Sequence, residues 1–502
     1  MKNRIKQYLL AASMCVGLTA CSDFFEPIPG VQFGLDETFA SKQRTEEYLN
    51  NVYSYVREVT DAIHPNTYGG IFTEASLDGA NRWNKTYAEW TNGSFNSASA
   101  QASEYFSKYY QAIAKASTFI QNVDKCTEAA ASTRGKWKSE ARALRAYYYF
   151  ELLRLYGPIP LIGEDPIPLD ASLEELIKER NSVDECVNFI ATELQSAIDS
   201  GDLLQRAGKA NLGRMDVATC MALKAKLYLY WASPLFNGNT DQASVKNKDG
   251  KQLFPQTEDN SKWTQARDAY ERFMTFATGQ GYKLTEVYTN GKLDPYASCR
   301  AAGEFFTTTW EAVDELIFVK LRDLYDYTYW VCPKFTDFQD TDVTGGGGYY
   351  TTQETVDLFF TKDGLTIEED PGYDKFEGIP GANNFTSGRY YYPNNPSRLY
   401  FDADKSKVLK QWKDREPRFY VNITYSGSIW LNEGKYNEEM RTDFTNGANG
   451  TCGKSKASGD CPDSGYLIRR GAKASNNNGS KHFSPVLRLA DMYLGYAEAL
   501  CM

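Results

Sequence analysis

Residues 137–156, WKSEARALRAYYYFELLRLY, predict a densely apolar helix that ends at the pair Gly157-Pro158. Within it, residues 143–146 have the sequence ALRA, and residues 222–225 repeat it as ALKA. An aromatic-rich turn and a proline-containing break follow each copy. Small alanines at close helix crossings, with aromatic residues one turn later, are typical of stacked tetratricopeptide-like helix pairs.

Further helices are predicted on both sides of this stretch from apolar residues at helical spacing. The predicted ranges are 41–59, 100–123, 182–198 and 215–232. Ser182 begins the third of them, with Glu185 in the reciprocal position of a capping box. Strands and helices do not alternate regularly. The sequence therefore predicts a mainly α fold, a tetratricopeptide-like helical-repeat scaffold that forms an α-α superhelix.

The C-terminal half is predicted to be rich in loops. Residues 345–348 are four consecutive glycines, for which we expect a flexible loop. Residues 351–354 (TTQE) predict a capping box that begins a short helix ending at Phe360. Alternating apolar residues over 419–431, interrupted by a turn at Ser426-Gly427, predict a small β-hairpin.

The N-terminus predicts a cleaved lipoprotein signal peptide over residues 1–20. Three basic side chains are followed by a short apolar stretch over residues 8–18, well under the roughly 20 apolar residues that span a bilayer. Leu18-Thr19-Ala20-Cys21 then resembles a lipobox, in which a small residue precedes the lipid-bearing cysteine. We expect lipidation at Cys21 and a membrane anchor. The alternative is an ordinary secretory signal with a cysteine at the cleavage site by chance.

Beyond the signal peptide, two regions are predicted. Residues 21–235 form an N-terminal helical-repeat region, and residues 236–502 form a loop-rich C-terminal region. The chain stops at Cys501-Met502 within a strong helical pattern, so we expect that it is truncated there. A formal net charge of -10 argues against nucleic acid as a partner.

Several ordered stretches of the chain resemble the SusD/RagB family of outer-membrane nutrient-binding lipoproteins from Bacteroidetes. The order and coverage of the stretches make the resemblance specific, against the alternative of a generic helical-repeat lipoprotein. Family members usually continue past the last stretch, and this chain does not. The stretches are 138–146, 155–161, 213–215, 222–229, 353–364, 415–419 and 488–499.

The resemblance implies a function in nutrient uptake. It implies a surface-exposed lipoprotein of the outer membrane that covers a SusC-like TonB-dependent transporter. Such a protein binds oligosaccharides, or in some members peptides, and passes them to the transporter. Ligand sites vary among family members, so the resemblance assigns no ligand contact to a particular residue of this chain.

The sequence contains no recognisable catalytic or metal-binding motif. The only histidines are His64 and His482, both expected in loops, and HExxH is absent. Asp337, Asp340 and Asp342 lack the glycine and the final glutamate of an EF-hand, which favours a solvated acidic loop over a structural Ca²⁺ site. We expect no enzyme activity and no cofactor. A surface glycan hydrolase stays open as an alternative, because a glycosidase needs only two well-placed carboxylates.

The cysteines outside the signal peptide and the lipid site are scattered, with no CxxC spacing. Cys126, Cys186 and Cys220 fall within predicted helices, where buried thiols are expected. Cys452 and Cys461 flank a polar loop, and a local disulfide between them is one alternative for an exported protein.

Two aromatic segments are candidates for a ligand-binding surface. Neutral sugars present apolar CH faces and hydroxyl edges, so their sites need aromatic platforms flanked by polar side chains. For each aromatic residue the alternative is packing within the scaffold, the commoner role of such residues. The candidate contacts are Trp83, Tyr87 and Trp90 in residues 78–92, and Trp330, Tyr349 and Tyr350 in residues 325–350.

Overall fold

The computed structural model describes most of the chain between Gly34 and Met502. The described ranges are 34–57, 76, 79–81, 93–163, 167, 171–303, 314–321, 331–335, 345–375, 380–392, 395–404, 407–430, 442–444, 452, 460–470, 472 and 483–502. The predicted signal peptide over residues 1–20 and the predicted lipid site at Cys21 lie outside these ranges.

Helices dominate the described residues, as predicted. Those of the first part are α1 (Leu35–Ala40), α2 (Lys42–Ser54), α3 (Ala100–Asn122), α4 (Ala131–Tyr156), α5 (Leu173–Leu176), α6 (Val183–Asp199) and α7 (Val217–Ala232). Those of the second part are α8 (Ser261–Gly279), α9 (Pro295–Gly303), α10 (Gln353–Asp357), α11 (Pro417–Asn422) and α12 (Leu489–Cys501).

The long helices pack in series, which confirms the helical-repeat scaffold. Helix α3 packs on α4, α4 on α6, α6 on α7, α7 on α8, and α8 on α12. One hydrophobic core runs through this series, and it includes Leu144 and Leu223 together with Tyr270, Phe318 and Met492. Residues on both sides of the boundary predicted at 235/236 therefore contribute to a single core.

Helix α4 lies at the centre of the scaffold. Four consecutive residues, Tyr147, Tyr148, Tyr149 and Phe150, are all buried. Because consecutive residues point in different directions around a helix, α4 is surrounded by protein along this stretch. The helix begins six residues earlier than predicted and ends at Gly157, where φ is 67°. A Cβ at that position would lie 2.9 Å from the ring of Phe254.

The capping box predicted at the start of α6 is confirmed. The Glu185 amide donates to the Ser182 hydroxyl over 3.3 Å, and the Ser182 amide donates to the Glu185 carboxylate over 2.7 Å. The cap of α7 is Asp216, whose carboxylate accepts from the Thr219 amide over 2.7 Å. The box predicted at residues 351–354 is wrong, because Thr352 caps α10 through the Thr355 amide. Helix α10 also ends at Asp357, before the predicted Phe360.

The strands are short and pair antiparallel. A four-stranded sheet has the order β1-β5-β9-β8, and three further pairs are β4 with β10, β2 with β3 and β6 with β7. The strands are β1 (Ala80–Asn81), β2 (Tyr288–Thr289), β3 (Lys292–Leu293), β4 (Leu316–Leu321), β5 (Tyr349–Tyr350), β6 (Arg389–Tyr392), β7 (Asn395–Asp402), β8 (Ile423–Tyr425), β9 (Tyr466–Ile468) and β10 (Phe483–Arg488).

The β-hairpin predicted over residues 419–431 is wrong. Residues 417–422 form helix α11, with Pro417 at its first position, where a proline is compatible with a helix. Phe419 and its two successors are all buried, so the apolar residues there do not mark one face of a strand. Strand β8 pairs with the distant strand β9, and Ser428 after the turn forms a bridge with Phe401 instead of pairing with β8. The turn at Ser426-Gly427 is present, with φ of 88° at Gly427.

No helix within the described ranges is both long enough and apolar enough to cross a bilayer.

Candidate functional site

The two aromatic segments predicted to bind a ligand meet at the edge of the four-stranded sheet. Strand β1 lies at the start of the first segment, and β5 lies at the end of the second. They pair antiparallel, with Ala80 opposite Tyr350 and Asn81 opposite Tyr349. We call this pairing and the residues next to it the sheet edge. Trp83, Tyr87 and Trp90, which follow β1, and Trp330 lie outside the described residues.

The two described tyrosines of the sheet edge point to opposite faces of the sheet. Tyr349 is buried, whereas Tyr350 is partly exposed. Successive side chains alternate across a strand, so neighbours in β5 differ in this way. A buried ring presents no face to a ligand. Tyr350 is therefore the one of the pair whose ring is partly accessible to solvent, and Tyr349 packs on the buried side of the sheet.

Tyr350 belongs to a row of side chains that crosses the sheet on one face. Residues directly opposite each other in paired strands share a face. The row runs from Ala80 through Tyr350 and Leu467 to Thr424. Ala80 is partly exposed, and Leu467 and Thr424 are fully buried. The accessible end of the row is thus the end at β1, next to the aromatic segment that follows it.

The glycine run before β5 is a close backbone crossing. The Gly345 amide donates to the Pro333 carbonyl and the Gly347 amide donates to the Cys332 carbonyl, each over 2.9 Å. A Cβ at Gly347 would lie 3.0 Å from the Asp460 carbonyl oxygen, and φ there is 60°. The loop predicted for 345–348 is confirmed, but these glycines are buried rather than exposed, and they let two backbone segments approach closely.

This crossing fixes the chain on both sides of the sheet edge. Lys334 forms an ion pair with Asp460, which joins the crossing to the segment that leads into β9. The crossing therefore holds both ends of residues 331–348 near β5.

A partly buried hydrogen-bond chain holds β9 on the other side of β5. The Tyr466 hydroxyl accepts from the Trp412 indole over 2.9 Å and donates to the Gln353 side-chain oxygen over 2.8 Å. Burial raises the pKa of Tyr466, so this hydroxyl stays neutral at physiological pH. The chain of bonds links α10 to β9 and makes the floor of the sheet edge rigid.

Several buried polar atoms near the sheet have no hydrogen-bond partner in the described part of the protein. They include Thr424 Oγ1 and the indole nitrogen of Trp430. The ring of Trp430 carries the Arg469 guanidinium at 5.6 Å from its centroid. Buried polar groups in proteins are normally satisfied by protein atoms or by ordered water.

A separate apolar pocket of about 450 Å³ lies beside α3 and α5. Phe106, Ile113 and Ile177 contribute to its wall, and Ile177 is 67% exposed. Sequence reasoning missed this pocket because its wall combines distant segments. The apolar residues of α5, and Ile177 next to it, are exposed to solvent. The spacing of apolar residues in the sequence does not predict this exposure.

The described residues contain no group of three or more histidine, cysteine or acidic residues arranged to hold a metal ion. Both histidines and the acidic residues Asp337, Asp340 and Asp342 lie outside the described ranges. The expectations for them stay predictions.

Cys126, Cys186 and Cys220 are buried, as predicted, although Cys126 lies in the connection between α3 and α4 and not within a helix. Cys452 and Cys461 are buried as well. Their pairing with each other stays a prediction.

Two family models match the chain in separate ranges. Residues 315–502 match the model described as the SusD family. Residues 32–229 match a model described as starch-binding and associating with the outer membrane. The two matches together extend from the first described helix to the last.

Individual proteins similar to this chain in sequence or in fold include SusD-like proteins. A curated SusD-like protein from Bacteroides ovatus is 27% identical over 175 residues, which cover 34% of this chain and only 30% of that relative. The solved structure of BT4246 has a TM-score of 0.72 at 24% identity and covers 91% of this chain and 78% of its own. A SusD-like carbohydrate binding protein from Bacteroides fragilis has a TM-score of 0.62 at 17% identity, with coverages of 92% and 74%.

Proposed function

The chain belongs to the SusD/RagB family, and we propose that it is a surface lipoprotein that binds an oligosaccharide at the sheet edge. The observation that carries the proposal is the pairing of β1 with β5. It brings two segments rich in aromatic and polar residues, far apart in the sequence, to one edge of one sheet. The names of the outer-membrane family model and of the B. fragilis carbohydrate binding protein support a glycan ligand.

The chemistry of the sheet edge suits a neutral sugar. Tyr350 offers a partly exposed aromatic face, and its hydroxyl is a donor and an acceptor. Residues 78–92 supply asparagines and Arg82 next to Trp83 and Trp90, the mixture of hydrogen-bonding and apolar groups that a sugar requires. A rigid floor below Tyr350 lowers the entropic cost of ordering the site when the ligand binds.

The proposed role is capture and delivery. Lipid on Cys21 holds the protein at the outer membrane, and several acyl chains provide stable anchoring. The partner would be a SusC-like TonB-dependent transporter that receives the bound oligosaccharide. No step of this role requires catalysis, so we propose binding without turnover.

Isothermal titration calorimetry on a panel of oligosaccharides and peptides tests the proposal, with chromatography of the ligand after incubation. We expect at least one oligosaccharide to bind and to be recovered intact. If only peptides bind, the ligand is a peptide and the proposed glycan ligand is wrong. Shortened oligosaccharides after incubation would indicate a hydrolase and contradict the proposed lack of turnover.

The site is tested by comparing Tyr350→Ala with Tyr288→Ala. Tyr288 is 60% exposed on the β2–β3 pair, away from the sheet edge, and serves as a matched control. Loss of an aromatic contact at the centre of a site costs about 1–2 kcal/mol, so we expect about a tenfold loss of affinity for Tyr350→Ala only. Tyr350→Phe, which keeps the ring, is expected to retain most of the affinity. Equal effects of the two alanine variants would exclude the sheet edge.

A further inference from the structure

A second pocket, lined by a different set of residues, lies inside the helical scaffold. Its volume is about 300 Å³, and it lies between α4, α7, β10 and the start of α12. It shares no residue with β1 or β5. Its walls combine apolar side chains such as Phe150 and Leu223 with an unusual concentration of charge.

Basic side chains outnumber acidic ones in this pocket. Arg57, Arg154, Lys226, Arg470 and Arg488 line it, against only Glu151 and Asp491. Both acidic side chains already form ion pairs with arginines. Glu151 lies 2.7 Å from Arg154 and 3.4 Å from Arg57, and Asp491 lies 3.1 Å from Arg488. Glu315, behind the wall, lies 3.8 Å from Arg488. The described lining therefore carries an excess of positive charge.

Lys226 is the clearest sign that the positive charge is not balanced. Its ammonium group forms no hydrogen bond or ion pair with any residue in the described ranges, although it lines the pocket. Burial, and then the neighbouring Arg154, lower the pKa of Lys226 to about 8. At neutral pH the group is still largely protonated. A second donor faces the same space, because the buried Tyr147 hydroxyl reaches no acceptor in the described part of the chain.

A partly buried ammonium that forms no ion pair reduces the stability of a helical scaffold. The desolvation of a charge costs free energy that only a nearby opposite charge and hydrogen bonds offset. An apolar residue of similar length would pack at this position of α7 without that cost. Residues that reduce stability in this way are concentrated at binding sites, where the ligand supplies the missing interaction.

We propose that this pocket binds the carboxylate of a small organic acid of monosaccharide size, such as a uronic acid, with Lys226 and Tyr147 as ligand contacts. The excess of positive charge calls for an anion. The volume is at the lower end of the range for small-molecule sites and is ample for more than a bare inorganic ion. The apolar wall provides contact area for a carbon skeleton. The pocket shares no residue with β1 or β5 of the sheet edge, so a negative binding result for one site does not contradict the proposal for the other.

Calorimetry with D-glucuronate, D-glucose and sulfate tests the proposal on the wild-type protein. We expect binding of glucuronate, no measurable binding of glucose, and weaker binding of sulfate. If no glucuronate binding is detected at ligand concentrations up to about 10 mM, the proposal is overturned. Sulfate that binds as tightly as glucuronate would show a site for a bare anion and would also overturn it.

Lys226→Met provides the second arm, with Lys224→Met as its control on the same helix. Lys224 donates to the Gln195 side chain over 2.7 Å and does not line the pocket. We expect Lys226→Met to weaken glucuronate binding at least about tenfold and to raise the melting temperature of the ligand-free protein, since it removes an unpaired, partly desolvated charge. Lys224→Met should retain the wild-type affinity. Unchanged glucuronate affinity in Lys226→Met would refute the role of this pocket, whatever happens at Tyr350.

Discussion

Replacing Glu193 with alanine removes the acceptor at the centre of a buried network that joins α3, α4 and α6. Arg145 of α4 is fully buried and donates through Nε to the Glu193 carboxylate over 2.8 Å. Its Nη1 donates to the Ser117 hydroxyl on α3 over 3.1 Å. Arg142, one turn earlier, reaches the other oxygen of Glu193 over 3.2 Å. Glu193→Ala would leave the Arg145 guanidinium buried with Ser117 as its remaining partner in this network.

The expected destabilisation is large because the charge left behind is buried. Removing one partner of a buried ion pair typically costs about 3–5 kcal/mol. Lys138→Ala is a matched control, since Lys138 also lies on α4 and forms an ion pair of 2.6 Å with Asp124. That pair is largely exposed, and pairs of this kind contribute about 0–1 kcal/mol.

Urea unfolding followed by circular dichroism at neutral pH measures the difference. We expect Glu193→Ala to lower the free energy of unfolding by about 3–5 kcal/mol and Lys138→Ala by less than about 1 kcal/mol. The double variant with Arg145→Met should recover part of the loss, because it removes the orphaned charge as well. If Glu193→Ala and Lys138→Ala had the same effect, the network would not hold the three helices together.

Two further perturbations test other parts of the fold. A Cβ at Gly495 would lie 2.2 Å from the Tyr270 hydroxyl, so Gly495→Ala should lower the free energy of unfolding by about 1–3 kcal/mol, and less in a Tyr270→Phe background, as thermal melting would show. An unchanged melting temperature would contradict the packing of α12 on α8. Burial raises the pKa of Asp216 to about 6, above its ordinary 3.8. The protonated Asp216 carboxyl therefore contributes fully to the stability of the fold below about pH 4, and this contribution is lost as the pH rises through 6. Relative to Asp216→Asn, the wild-type protein should lose up to about 3 kcal/mol of stability over that range, and parallel stability profiles would contradict this.

The helices could be predicted because their signals are local. Apolar spacing within residues 182–198, and the Ser182 cap, depend only on neighbours in the sequence, and the structure reproduces both. The hairpin over residues 419–431 failed because β8 pairs with β9, about forty residues further along the chain. Such a partner cannot be identified from the residues of β8 themselves.

The candidate site was only partly predictable for the same reason. Aromatic and polar composition selected both segments, but the pairing of residues 80–81 with 349–350 joins positions that are far apart in the chain. Composition also could not separate Tyr349 from Tyr350, because the side of the sheet on which each ring lies depends on the register of β5. Lys226 escaped notice because a lysine in an amphipathic helix is usually solvated, and only the packing around α7 shows that it is partly buried and lines a pocket.

A structure of the protein in complex with an oligosaccharide that it binds would test the central claim most directly. The account predicts that the sugar lies over Tyr350 at the exposed side of β1, in contact with the segment that contains Trp83 and Trp90. An oligosaccharide bound elsewhere, for example in the apolar pocket beside α3, with the sheet edge empty, would contradict the account.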